Sequence, residues 1–375
     1  MTKDDKYYME QTIEIAKKGE GYTSPNPLVG AIVVKDGVIV GKGYHQNYGG
    51  PHAEVYALDE AGEKAKGGTI YVSLEPCSHY GKTPPCSLKV VNSGVKRAVI
   101  AMKDPNPLVA GRGIKHLQDS GIKVELGLME KEAKDLNKAF LKYISTDIPY
   151  VYLKTAQTMD GFLATKSGDS KWITNEKARM IGHRLRHKVD AILVGIGTVI
   201  NDNPSLTTRL VNTKAKDSIR VILDTNLQIS LDAKVLNQDS DAETIIVCGD
   251  NEENYEDESF KKKLSLLEDK EKVEVLKIPI DIEARISLHK LLRILHDKGI
   301  SSLLVEGGGR VNYSFLQAGL VDEVYTFIAP KILGANDGIS AFSGSGPLKM
   351  NEAKELKNIK YQQIDDNILL IGQFE

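Results

Sequence analysis

His52, Glu54, Cys77 and Cys86 are the residues of this chain best placed, by type and spacing, to do chemistry. An imidazole and two thiolates form a zinc-binding set, and a carboxylate two residues from the imidazole need not be a ligand. Catalytic zinc commonly keeps three protein ligands and leaves a fourth position for water, whose pKa falls to about 7. A neighbouring carboxylate can take that proton and return it to a departing amine. The set therefore points to hydrolytic deamination, with Glu54 as the proton carrier. A competing reading makes His52 a hydrogen-bonded structural histidine and the two thiols small buried hydrophobes. A purely structural zinc would want a fourth Cys or His; His79 is the nearby candidate and is assigned here to the pocket lining. Asn26 offers an amide suited to the edge of a pyrimidine, or else a turn residue between Pro25 and Pro27.

These residues need elements to hold them. Met9, Ile13 and Ala16 share one face of a helix expected over 8–18. Strands over 29–34 and 38–40 flank Asp36-Gly37, a strong hairpin signal. A helix over 53–65 would begin beside His52, and a strand over 69–74 would end just before Cys77. Further along come a helix over 86–92, strands over 97–102 and 121–125, and a closing helix over 131–143. The candidate ligands thus fall at strand ends and helix starts, the usual place for a site in an α/β sheet. Asp147-Ile148-Pro149 marks the junction to a second series of strands, over 150–156, 191–194, 220–223, 244–247 and 302–305, separated by helical segments. That alternation predicts a second, largely parallel sheet. The stretch 251–272, crowded with Glu, Asp and Lys, reads as a solvated helix with loops. The boundaries expected are 1–146 for the deaminase unit and 147–375 for the second domain.

Size and composition narrow the class. With 375 residues, two domains are the default. A charged fraction of 27% and a hydrophobic fraction of 41% are ordinary for a soluble globular protein. The formal net charge of -2 argues against nucleic acid as a partner. Three cysteines cannot build a disulfide framework, and Cys248, inside an apolar run, reads as a buried strand residue. Residues 1–6 lack the apolar core of a signal peptide, and no stretch has the apolar length of a membrane span. A cytoplasmic enzyme with no membrane partner is expected, and a homo-oligomer is compatible with the sequence.

The second half carries a weaker signal. Glu306-Gly307-Gly308-Gly309-Arg310 follows a predicted strand and precedes a helix expected over 312–318. Glycines at such a turn let backbone N–H groups approach a phosphate, although neither dinucleotide fingerprint nor phosphate loop is present. Arg186 and Arg209 could grip a terminal phosphate through paired hydrogen bonds, or simply be solvated.

Taken together, the motifs resemble the bifunctional riboflavin-biosynthesis deaminase–reductase family over essentially the whole chain. The resemblance rests first on Ser24-Pro25-Asn26-Pro27-Leu28-Val29-Gly30, Gly50-Pro51-His52-Ala53-Glu54 and Leu74-Glu75-Pro76-Cys77-Ser78-His79. Gly81-Lys82-Thr83-Pro84-Pro85-Cys86 and Asp104-Pro105-Asn106-Pro107 add to it. The eight residues between Cys77 and Cys86 depart from the short Pro-Cys-x-x-Cys pattern of other deaminases. In the second half the match includes Asp160-Gly161, Ser170-Lys171-Trp172, Arg184-Leu185-Arg186 and Asn201-Asp202-Asn203-Pro204. The resemblance implies an α/β chain: an N-terminal cytidine-deaminase-like domain followed by a dihydrofolate-reductase-like domain. It implies Zn2+ on His52, Cys77 and Cys86, and NADPH on Ala156, Trp172, Thr198, Asp202, Gly307, Gly308, Gly309, Arg310, Val311 and Asn312. By the same resemblance Ser170, Arg186, Leu206, Arg209 and Glu306 contact a phosphoribosylaminopyrimidine, and Asn26 serves the deaminase pocket. Two steps are implied: deamination of 2,5-diamino-6-(5-phosphoribosylamino)pyrimidin-4(3H)-one, then NADPH reduction of 5-amino-6-(5-phosphoribosylamino)uracil. Lys154 could orient a ribose oxygen. Two rivals remain: a zinc deaminase whose second domain only binds or assembles, and a zinc-stabilised nucleic-acid-binding protein.

Overall fold

In unit 1, β1 (Gly30–Lys35) and β2 (Val38–Tyr44) are joined by Asp36 (φ 49°) and Gly37 (φ 79°), the paired positive φ angles that a two-residue hairpin turn requires. The computed structural model describes residues 3–374 apart from 79, 81–83, 107–109, 212–214, 251–255 and 282–284. It divides into two compact units, residues 1–147 and 148–375. Helix α1 (Lys3–Ala16) precedes the hairpin. Then follow α2 (Ala53–Ala61), β3 (Thr69–Leu74), α3 (Cys86–Asn92), β4 (Arg97–Met102), α4 (Arg112–Asp119), β5 (Lys123–Leu126), α5 (Glu130–Leu136) and α6 (Lys138–Ser145). Among the described residues these strands form one sheet of order β2-β1-β3-β4-β5, antiparallel across β2-β1-β3 and parallel from β3 to β5. Successive residues of β1, β3 and β4 are buried whichever way they point, so helices cover both faces. Helix α2 lies directly on the hairpin: a Cβ at Gly41 would meet Ala57 O at 2.1 Å, and one at Gly43 would meet Ala53 O at 2.5 Å.

The expected spans over 69–74, 86–92 and 97–102 agree with β3, α3 and β4. The closing helix does not run unbroken over 131–143. It breaks at Asn137, whose side chain leaves the helix to bond both Leu28 N (2.8 Å) and Leu28 O (3.0 Å).

Unit 2 opens with β6 (Tyr150–Thr158) and β7 (Phe162–Ala164), then α7 (Glu176–Lys188), β8 (Ala191–Gly195), α8 (Ile196–Asp202), β9 (Ile219–Leu223) and β10 (Thr244–Asp250). It continues through α9 (Glu258–Glu268), β11 (Val273–Pro279), α10 (Leu288–Asp297), β12 (Ser302–Val305) and α11 (Gly309–Gln317). The last strands are β13 (Glu323–Ala329), β14 (Ile339–Ser340), β15 (Lys357–Ile364) and β16 (Asn367–Gln373). The main sheet has the order β11-β10-β9-β8-β12-β6-β13-β16-β15 and is parallel except at β13/β16 and β16/β15. Parallel central strands are buried on both faces, which is why β8 and β12 are continuous apolar runs. The charge-rich stretch after Cys248 departs from a purely solvated helix: α9 buries Phe260, Leu264 and Leu267 against β10 and β11 neighbours. Cys248 itself is fully buried in β10. Among the described residues, no helix is long and apolar enough to cross a membrane.

Candidate active sites

In unit 1 three elements deliver the chemistry. His52 is the extended residue that caps α2, Cys77 lies just beyond β3, and Cys86 opens α3. His52 Nδ1 stands 3.1 Å from Cys86 Sγ and 3.6 Å from Cys77 Sγ, and the three ligand atoms all lie within 4.8 Å of one another. Tetrahedral zinc with N and S ligands sets neighbouring donors about 3.6 Å apart, so this set fits the metal. The Cys86 thiol and the His52 ring hold the Cys77 thiol down to about 4 against burial, and the amide of Cys86 adds a bond to its Sγ (3.2 Å). A thiolate is the form that binds metal. The same sulfur-to-sulfur contact, with burial, pushes Cys86 up, so the pair shares a proton that a metal would displace.

Glu54 sits on the first turn of α2, 3% exposed, and burial pushes its carboxyl up to about 7 while the His52 charge pulls the other way. A buried group titrating near neutrality can both take and give a proton. His45, missed by the sequence reading, packs its ring edge-on against His52 with centroids 5.5 Å apart. Its Nδ1 donates to Pro51 O (3.0 Å), since a carbonyl can only accept, and burial keeps the ring neutral. Its Nε2 then accepts from Asn26 Nδ2 (3.2 Å), which fixes the orientation of the Asn26 amide. With both ring nitrogens engaged, His45 is not a fourth ligand. His79 and the stretch Gly81-Lys82-Thr83 lie outside the described residues, as does Pro107.

In unit 2 polar groups from α7 and β6 converge on Glu306, just beyond the C-terminal end of β12. Arg186 Nε and Nη2 donate to the two oxygens of Glu306 (2.9 and 2.8 Å), and its Nη1 donates to Thr207 O (3.1 Å). Lys154 Nζ lies 3.6 Å from the same carboxylate. Burial alone would raise Glu306, yet the Arg186 and Lys154 charges hold it at about 2. The phosphate fork expected of Arg186 is therefore spent on Glu306, whereas Arg209 is an exposed residue. His183, one helical turn before Arg186, was also missed; an arginine-bearing helix face was its one sequence signal. Its Nδ1 accepts from Arg209 N (3.3 Å), and burial together with Arg186 and Arg209 drives its pKa down to about 4. Leu206 is buried in a left-handed conformation (φ 53°).

The glycine turn suits a bulky anion. Helix α11 starts at Gly308 without a side-chain cap, leaving first-turn N–H groups for a ligand. A Cβ on Gly308 or Gly197 would meet nothing within 4 Å, whereas one on Gly307 would meet Val311 at 2.6 Å. Asn312 Oδ1 is buried with no hydrogen-bond partner among the described residues. The uncapped first-turn N–H groups and the open space beside Gly308 and Gly197 fit a dinucleotide phosphate, whereas Asn312 Oδ1, an acceptor, would need a donor. Thr198 and Asp202 lie on α8 and Ala156 on β6, beside that turn's strand β12. Trp172 is 62% exposed, with Arg179 stacked 4.5 Å over its ring and its carbonyl accepting from Lys331 Nζ. Ser170 lies in the same loop, where its carbonyl accepts from Ile173 N.

Both units match known protein families. Residues 149–370 match the RibD C-terminal domain, and residues 2–102 match the cytidine and deoxycytidylate deaminase zinc-binding region. The riboflavin biosynthesis protein RibD of Aquifex aeolicus is 46% identical over 98% of this chain and 97% of its own. The chain belongs to the RibD family. Among solved structures, Acinetobacter baumannii RibD superposes with a TM-score of 0.86 at 38% identity, covering 100% of this chain and 99% of that one. A deaminase/5-amino-6-(5-phosphoribosylamino)uracil reductase from Thermotoga maritima gives 0.86 at 37% identity, with 99% of each chain covered. As in that family, a zinc-deaminase-like unit precedes a dihydrofolate-reductase-like unit, and the chain is a bifunctional enzyme of riboflavin biosynthesis that uses Zn2+ and NADPH.

Proposed function

We propose that residues 1–146 deaminate 2,5-diamino-6-(5-phosphoribosylamino)pyrimidin-4(3H)-one and residues 147–375 reduce 5-amino-6-(5-phosphoribosylamino)uracil to its ribitylamino phosphate. The observation that carries the first step is the convergence of His52, Cys77 and Cys86 beside a buried Glu54 whose proton affinity suits transfer near neutral pH. When bound, zinc supplies Lewis-acid activation of water. The Glu54 carboxylate takes a proton from the attacking water and delivers it to the departing amine, so a C–N bond breaks, a C–O bond forms and ammonia leaves. Asn26, its amide set by His45, orients the pyrimidine edge.

For the second step Gly307, Gly308, Gly309, Arg310, Val311 and Asn312, with Ala156, Trp172, Thr198 and Asp202, hold NADPH, which supplies a hydride to C1 of the opened ribose. The substrate lies against Ser170, Leu206, Arg209 and the Arg186–Glu306–Lys154 cluster. In it Glu306, kept ionised, orients sugar hydroxyls, while the exposed Arg209 takes the phosphate. The protein acts through alignment and charge. We place the enzyme in the cytoplasm, acting on small molecules without nucleic acid.

The test is to incubate zinc-loaded protein with the diaminopyrimidine phosphate, with and without NADPH, and follow the masses. Ammonia release without cofactor, then uptake of a hydride and a proton once NADPH is added, supports the proposal. A first mass change alone defeats its second half.

A further inference from the structure

Glu75 is as deeply buried as Glu54, at 3% exposed, yet neither proposed step uses it. A carboxylate out of reach of water must be surrounded by donors. Oε1 accepts from Gly113 N (3.0 Å) and Ile114 N (3.2 Å), and Oε2 from Gly111 N (2.9 Å) and Asp104 N (3.3 Å). The donors are Asp104, just beyond β4, and Gly111, Gly113 and Ile114 at the start of α4. The N-cap of α4, Gly111, has no side chain to offer, and Glu75 reaches across from the end of β3 to cap the helix. A second contact pins the same helix start: a Cβ on Gly113 would meet Pro76 O at 2.0 Å. On its other side the turn is held by α3, with Ser87 N donating to Cys77 O (3.1 Å) and Cys86 N to Cys77 Sγ. Residues 75–77 are thus held from α4 through Glu75 and Pro76 and from α3 through Cys77.

We propose that Glu75 is a positioning residue for the metal: by fastening Asp104 and the start of α4 to the backbone just before Cys77, it sets the Cys77 sulfur at ligand distance from His52 and Cys86. This rests on the zinc reading of the site. Capping alone would leave the cluster indifferent to Glu75; positioning makes metal affinity and ligand geometry depend on it.

The experiment compares full-length protein with Glu75→Gln, Glu75→Asp and Gly113→Ala. Zinc affinity is measured by competition with a chromophoric chelator, and geometry by the absorption spectrum of the cobalt(II)-substituted site. Hydrogen exchange of β3 and β4 amides reports folding of unit 1, and reductase activity that of unit 2. Glu75→Gln should bind zinc roughly 10- to 100-fold more weakly, as loss of outer support commonly does, and alter the cobalt spectrum while β3 and β4 stay protected. Glu75→Asp, which keeps the charge, should recover part of the affinity. Zinc affinity within about twofold of wild type and an unchanged spectrum in Glu75→Gln, whatever its melting temperature, overturn the inference. If Glu75→Gln loses protection in β3 and β4, the charge-keeping Glu75→Asp carries the test, with Gly113→Ala as a displacement of the same turn through Pro76 that leaves the carboxylate in place; weakened and spectrally altered sites support the inference and wild-type values refute it. Wild-type protein that takes up no zinc would sink the reading of the site as well; an indifferent Glu75→Gln in a zinc-binding wild type sinks this inference alone.

Discussion

Glu54 and Glu306 are both buried carboxylates, yet their surroundings send them in opposite directions. Burial dominates at Glu54 and raises it to about 7, which suits a group that must hold and release a proton. Replacing it by Gln keeps size and removes proton transfer, so deamination should fall about 10²- to 10⁴-fold with zinc content and reductase rate unchanged. Loss of zinc in that variant would instead make Glu54 a ligand. At Glu306 the cations win and the pKa falls to about 2. Its folded value lies below the unfolded one, so its contribution to stability is full above about 4.5 and fades as pH drops toward 2. Glu306→Gln should cost about 3–5 kcal/mol at neutral pH by leaving Arg186 buried and unpaired. Its deficit relative to wild type should shrink by roughly 2 kcal/mol between pH 6 and pH 3, read from denaturant unfolding of β8 and β12 amides followed by hydrogen exchange. A deficit that does not change with pH would show that Glu306 is not ionised in the fold.

At the scale of elements, Asn137 shows how a distant residue shapes the pocket. Its amide ends α5 and clamps Leu28, two residues after Asn26. Asn137→Ala should destabilise unit 1 by about 1–2 kcal/mol, since two part-buried backbone groups of Leu28 lose partners, and should raise the deaminase KM more than it lowers kcat. Exchange rates of the β1 amides, with steady-state kinetics, check both. No sequence pattern near residue 137 announces this break, because its cause lies 109 residues away. Where the signal was local, the sequence was legible: the β-branched run Thr69–Leu74, the Asp36-Gly37 turn and the apolar Ser302–Val305 each declare themselves. Strand β15 did not, because Lys357–Ile364 is an edge strand with a nearly all-exposed, polar sequence. The zinc ligands were readable because their chemistry tolerates few residue types. Glu75, His45 and His183 were not, since a carboxylate or imidazole that only holds its neighbours has no spacing of its own.

For the whole molecule, the account assigns two chemistries to two units with separate cores. Stripping the metal with a chelator should therefore abolish ammonia release while leaving NADPH oxidation on the uracil intermediate intact; parallel loss of both would contradict independent sites. The claim on which everything turns is a three-ligand zinc beside Glu54. X-ray absorption at the zinc edge of the loaded protein tests it most directly. Two sulfurs at ~2.3 Å and two light atoms at ~2.0 Å, one of them exchangeable with added ligand, are expected. A shell of four protein donors that ignores added ligand, or one without two sulfurs, would contradict it.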